Sequence, residues 1–206
     1  MGVLVVVVLV MFLVGCIIRT PQFKGWLGEK FVNFFTWLFL DPKTYRLIPD
    51  VTIPHNGGST QIDHVIVSPY GIFVVETKNW KGAIYGRQDE AYWTVKLGGK
   101  TYRKQNPLRQ NYAHTKTLSE ILGLPESKFK SVIVLGPDAD FKKERPENVS
   151  IGAGFVWYIR KQKECLLTKE EVEAVLASIA EKRFAPGWKT RRDHVRRLKE
   201  RHESRD

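Results

Sequence analysis

The chain has 206 residues, room for one domain with short appendages. Apolar residues make up 43% and charged residues 27%, which excludes wholesale disorder, and two cysteines, Cys16 and Cys165, exclude a disulfide framework or a four-ligand zinc site. Lys and Arg number 33 against 22 Asp and Glu, and the net charge of +11 points to a polyanionic partner, nucleic acid or an anionic membrane surface.

Residues 2–18 read GVLVVVVLVMFLVGCII, without a single charge. As a helix they span about 25 Å, just short of a hydrocarbon core of about 30 Å, so residues 1–18 are expected to form a membrane anchor. A buried core helix or strand is the alternative, and so valine-rich a run would suit the strand. No positive stretch precedes it, which argues against a cleaved signal. Arg19 and Lys24 follow it, which by the positive-inside rule leaves the rest of the chain cytoplasmic. Leu13-Val14-Gly15-Cys16 also resembles a lipobox, so an extracytoplasmic lipoprotein acylated at Cys16 is a competing reading.

Residues 22–185 are expected to form one domain. A helix over 23–40 follows from Leu27, Phe31, Phe34, Phe35 and Leu38, ended by Asp41-Pro42. Strands are expected at Arg46–Ile53, broken off by Pro54, at Gln61–Ser68 and at Ile72–Lys78, the last two joined by Pro69-Tyr70. Ile84-Tyr85 and Trp93–Leu97 read as a small β insertion with Gly98-Gly99 as a hairpin turn. Pro107 opens a helix to Leu122, capped by Gly123. Strands follow at Ser131–Leu135 and Phe155–Ile159, and Thr168 with Glu171 forms a capping box for a helix to Arg183. Residues 186–206, rich in Lys and Arg, read as a basic helical tail: a nucleic-acid or headgroup arm, or a solvated extension held by pairs such as Arg196–Glu200. The order predicts an α/β fold with a mixed central sheet covered on both faces, the Ser131 strand parallel to a neighbour.

With Pro69-Tyr70 at the tip of a two-residue hairpin, Val65 faces Val74, Asp63 falls opposite Glu76, and Gln61 opposite Lys78, all on one face. Ile62, Ile66, Phe73 and Val75 take the other face. Like charges so close in a half-buried sheet want a cation between them, or one must hold a proton. Mg²⁺, with Mn²⁺ as an alternative, suits two carboxylates plus the Thr77 carbonyl, and Lys78 can orient or deprotonate a water beside it. Asp/Glu-x-Lys also occurs at Asp41, Glu126 and Asp140, but each of these lies beside a proline in a turn-like stretch. A hairpin ion pair, with Lys78 neutralising both acids, explains the same residues without catalysis.

Gln61-Ile-Asp63-His64-Val65, Ser68-Pro-Tyr-Gly71, Val75-Glu76-Thr77-Lys78-Asn79-Trp80-Lys81-Gly82, Gly25-x-x-Gly28-Glu29 and Asn106-Pro107-x-x-Gln110 together resemble the NERD (nuclease-related) domain family over about residues 22–140. The resemblance implies the restriction-endonuclease-like αβββαβ core of the PD-(D/E)xK nuclease superfamily. It implies Asp63 and Glu76 as metal ligands, Lys78 as the catalytic lysine, Glu29 approaching from the first helix, and Gln110 touching phosphate or water from the second. Ile62 stands where that superfamily often has proline.

His64 points away from Asp63 and reads as a packed histidine. His114, one turn after Gln110 on the same face, reads as solvated, with a place lining the site as the alternative, and Trp80 and Trp93 read as packing residues, with stacking on bases as the alternative. Gln61, Lys81, Arg87, Lys104 and Arg109 bracket the acid pair and the insertion, and are expected to track nucleic acid, DNA more readily than RNA. The expected function is a membrane-anchored, metal-dependent nuclease. A non-catalytic scaffold that holds nucleic acid or a protein at the membrane is the competing class.

Overall fold

The structure, a computed structural model, describes residues 20–55, 57–185, 187 and 196. The expected anchor over 1–18 and nearly all of the expected basic tail lie outside the described residues. Among the described residues, no helix is long and apolar enough to cross a membrane.

The described chain is a mixed α/β fold built on two sheets. Helix α1 (Pro21–Phe39) leads into β1 (Arg46–His55), β2 (Gly58–Ser68) and β3 (Gly71–Lys78). A second sheet begins with β4 (Gly82–Tyr85), β5 (Tyr92–Leu97) and β6 (Lys100–Gln105). Helix α2 (Pro107–Leu122) then crosses over to β7 (Phe129–Leu135), followed by β8 (Ala139–Phe141), β9 (Val149–Ile151), α3 (Gly154–Lys161) and α4 (Lys169–Lys182). The main sheet runs β1-β2-β3-β7-β9, antiparallel up to β3 and parallel beyond it, and the smaller sheet runs β6-β5-β4-β8.

The faces of the main sheet are covered as expected. Val65, Val67, Ile72 and Val74 pack beneath Leu118 of α2 and Val172, Val175 and Ile179 of α4. Ile66, Phe73, Val75, Val132 and Val134 pack beneath Val32 of α1, Leu40 just past its end, and Phe155, Val156 and Ile159 of α3. A third cluster ties Ile84, Trp93 and Val95 of the small sheet to Leu108 of α2 and Ile133 and Leu135 of β7. This cluster fixes the small sheet beside the N-terminus of α2.

Three expectations are corrected. Residues 155–159 form a helix rather than a strand: Phe155, Val156 and Ile159 bury one helical face and Trp157 stays outside. The final strand of the main sheet is instead Val149–Ile151. Pro54 does not end β1, which continues to His55, because β1 is an edge strand and tolerates a missing N–H. Finally, Ile62 packs with Val65, Val67, Val51 and Ile53 rather than with Ile66. The alternation of β1 and β2 slips between the pairs Pro49–His64 and Val51–Ile62, where Asp50 takes a φ of +52°. The slip brings Asp63 to the point where the sheet changes its inward face.

Candidate active site

The hairpin register is as expected from Ser68–Gly71 to His64–Val75, and there the pairing stops. Asp63 supplies the reason. Its Oδ2 accepts from the backbone N–H of Thr77 at 2.8 Å and from the Thr77 hydroxyl at 2.6 Å. A side-chain carboxylate thus takes the place of a strand carbonyl. Beyond this point β3 pairs only with β7, through Glu76–Ile133, Thr77–Val134 and Lys78–Leu135. Gln61 therefore does not face Lys78; it pairs with Thr52, and its amide donates to Asp50 Oδ1 at 2.6 Å.

Glu76 is buried at the C-terminal end of β3. Lys78 Nζ donates to its Oε1 at 2.6 Å and to Gln110 Oε1 at 3.0 Å. Gln110 Nε2 donates back to Glu76 Oε1 at 2.9 Å, which closes a triangle of acid, amine and amide. His114 Nε2 stands 3.4 Å from Glu76 Oε2, and its Nδ1 lies 2.9 Å from the Thr60 hydroxyl. At that separation the His114–Glu76 contact is electrostatic, and among the described residues no hydrogen-bond donor reaches Oε2.

Helix α2 carries this wall because of its cap. Asn106 Oδ1 accepts from Leu108 N–H, and its Nδ2 donates to the carbonyls of Arg87, Gln88 and Glu90. Asn106 thereby clamps the insertion to the helix start. One turn on, Asn111 Nδ2 donates to Val74 O and Ser131 Oγ, pinning the helix across β3 and β7. Gln110 and His114, four residues apart, then share the face that meets Glu76.

The two acids sit in opposite electrostatic states. Burial and the neighbouring Glu76 charge raise the Asp63 pKa to about 7, against its Thr77 hydrogen bonds and Lys78. Burial also opposes ionisation of Glu76, but His114 and Lys78 outweigh it and hold its pKa below the usual carboxylate value. Asp63 thus feels the Glu76 charge, and Glu76 is the more readily ionised of the two.

The remaining expected residues are placed as follows. Glu29 is half-buried on α1, and its backbone faces the His64 ring. His64 is fully buried, its pKa lowered to about 4 by burial, in keeping with a packed, neutral ring. Among the described residues, no three His, Cys, Asp or Glu side chains converge on one point, so Glu29 does not join Asp63 and Glu76 in a three-group cluster. Lys81 pairs with Asp138, and Arg87 with Asp89 at 3.3 Å. Lys104 is exposed on β6, its amine 5.7 Å from the Tyr102 ring, and Arg109 is exposed beside Gln110. Trp93 is buried in the third core cluster, with Trp80 packed partly against it. His114 is the correction in this region: it is buried against Glu76, not solvated. Its spacing from Gln110 was the available signal.

A family model for the nuclease-related domain, NERD, matches residues 24–136. The chain belongs to the NERD family. The matched span runs from α1 through β2, β3 and α2 to the end of β7, so it contains Asp63, Glu76, Lys78, Gln110 and His114. The chain is also similar to an uncharacterized protein of Bacillus anthracis, 34% identical over 169 residues that cover 78% of this chain and 77% of the relative. No solved structure matches it.

Proposed function

We propose that this NERD protein is a metal-dependent nuclease that hydrolyses phosphodiester bonds, with Asp63 and Glu76 as metal ligands and Lys78 as the catalytic amine. The observation that carries the reading is the buried, donor-free Oε2 of Glu76 beside a second carboxylate that is itself driven toward protonation. An oxygen with no donor next to a repelled acid suits a hard divalent cation such as Mg²⁺ or Mn²⁺. Asp63, Glu76 and the Thr77 carbonyl are the oxygens that would hold it. Bound there, the ion supplies Lewis acidity to a phosphate oxygen.

The chain's own groups supply the rest. Lys78 Nζ, held by Glu76 and Gln110, orients the attacking water and offsets charge that grows on the phosphate. Gln110, tied to both, fixes the height of the amine above the strand. Thr77 keeps Asp63 turned toward the site through two hydrogen bonds. Glu29 approaches from α1 as an outer acid. Gln61, Lys81, Arg87, Lys104 and Arg109 contact the nucleic-acid backbone, DNA in preference to RNA. Residues 1–18 anchor the chain, with the domain in the cytoplasm; acylation at Cys16 is the alternative anchorage.

The test is cleavage of plasmid DNA by the purified chain with Mg²⁺ or Mn²⁺, compared with Asp63→Asn and Lys78→Met. Asn keeps the acceptor that Thr77 needs, so the variant loses charge and not the fold. Cleavage should disappear in both variants and with chelator; cleavage that survives Asp63→Asn sinks the mechanism. A second reading, a non-catalytic binding module, is favoured by the closed Lys78–Glu76–Gln110 triangle, which satisfies the lysine without substrate. Salt-sensitive DNA binding without cleavage in either metal would establish it.

A further inference from the structure

Helix α1 is apolar on the wrong side as well as the right one. Val32 is buried against the main sheet, as a surface helix requires. The opposite face carries Trp26, Leu27, Phe34, Trp37 and Leu38, all exposed, with Trp37 70% exposed. Lys30 is the charged residue on that face, its amine 5.7 Å from the Trp26 ring. The single acid of α1, Glu29, is half-buried. A helix apolar on every side is covered by something. Neighbouring α3 extends the feature: it buries Phe155, Val156 and Ile159 on the same face of the sheet and holds Trp157 outward, 65% exposed, with the Arg160 guanidinium 5.3 Å from its ring.

We infer that the outward face of α1, continued by Trp157 of α3, rests on an anionic lipid bilayer. The inference takes from the proposed function that residues 2–18 enter the membrane. Those seventeen uncharged residues end at Ile18, and α1 begins at Pro21. The linker is too short to carry α1 away from the headgroup layer. Tryptophans with Lys and Arg beside them are the side chains that settle at that depth, ring in the acyl boundary and charge among phosphates. A second copy of the chain fits less well, because it would bring Lys30 and Arg160 toward like charges on a protein of net charge +11. On this placement α1 and α3 lie toward lipid, while α2, with Gln110 and His114 on the other face of the sheet, stays in water.

The test uses the full chain in vesicles of phosphatidylcholine and phosphatidylglycerol, with brominated phosphatidylcholine as a contact quencher of tryptophan. Trp37→Phe/Trp157→Phe keeps the apolar surface and removes two reporters. Docking requires that brominated lipid quench the parent chain and that the double variant, which keeps only Trp26 of the three tryptophans on this surface, lose most of that quenching while floating equally with the vesicles. Equal flotation with unchanged quenching leaves the anchor standing and overturns docking. Failure of the parent chain to float overturns both readings. Absent lipid quenching in a chain that sediments as a dimer assigns the face to a second copy and also overturns the inference.

Discussion

Asp63 accepts two hydrogen bonds from Thr77, and still its pKa lies near 7 because burial and Glu76 outweigh them. The linkage has a definite sign. In the unfolded chain the carboxyl ionises near 3.8; in the folded chain it keeps its proton to about 7. Stability therefore falls as pH rises through that window, by at most about 4 kcal/mol, and the full penalty stands above it. Asp63→Asn cannot ionise. Urea titrations should show the variant close to the parent at pH 4 and more stable than it at pH 8; the same stability difference at both pH values would refute the assignment. Lys78 and Glu76 form the second residue-level test. Lys78→Met leaves Glu76 buried without its closest cation and should cost about 3 kcal/mol. Adding Glu76→Gln should recover most of that, which a double-mutant cycle would read as strong coupling.

At the scale of elements, the site depends on how β3 and β7 end together. Gly136 N–H donates to Lys78 O at 2.9 Å, just past the last β3–β7 pair. A Cβ on Gly136 would meet Asn79 Oδ1 and Trp80 O, each at 2.9 Å. Gly136→Ala should therefore cost about 1–3 kcal/mol by thermal melting and shift Lys78, whereas Gly123→Ala, with open space around it, should show only the strain of its left-handed φ. Elements with chemical punctuation were legible in the chain: Asn106-Pro107 and Gly123 bound α2, and the Thr168–Glu171 box is present with both of its bonds. Residues 155–159 were not. Phe-Val-Trp-Tyr-Ile is a short run of strand-forming types, and local preference cannot tell it from one buried helical face.

Across the whole molecule, metal binding and stability should be linked. Because an ion would relieve the repulsion between Asp63 and Glu76, millimolar Mg²⁺ or Mn²⁺ should raise the melting temperature of the parent at pH 8 and leave that of Asp63→Asn unchanged. An equal shift in both places the ion elsewhere. The basic surface makes a separate prediction: DNA affinity should fall steeply with salt, and Lys104→Ala and Arg109→Ala should each flatten the slope by about one unit without altering sequence preference. Most of this architecture follows from alternating strands and helices whose apolar residues require a doubly covered sheet. The small sheet was half legible, since β8 is three residues long and exists only because β7 delivers it to β4.

From the sequence alone came the hairpin register near Pro69-Tyr70, the acids at its far end and the amine two residues on, because strand alternation and turn length are local rules. Tertiary structure decided the rest of the site. It stopped the pairing at His64–Val75, gave Asp63 to Thr77, moved Gln61 to Asp50 and brought His114 out of solvent against Glu76. Each of these turns on which polar group finds a partner when water is excluded, and that choice is made only when α2, β2 and β3 close on one another.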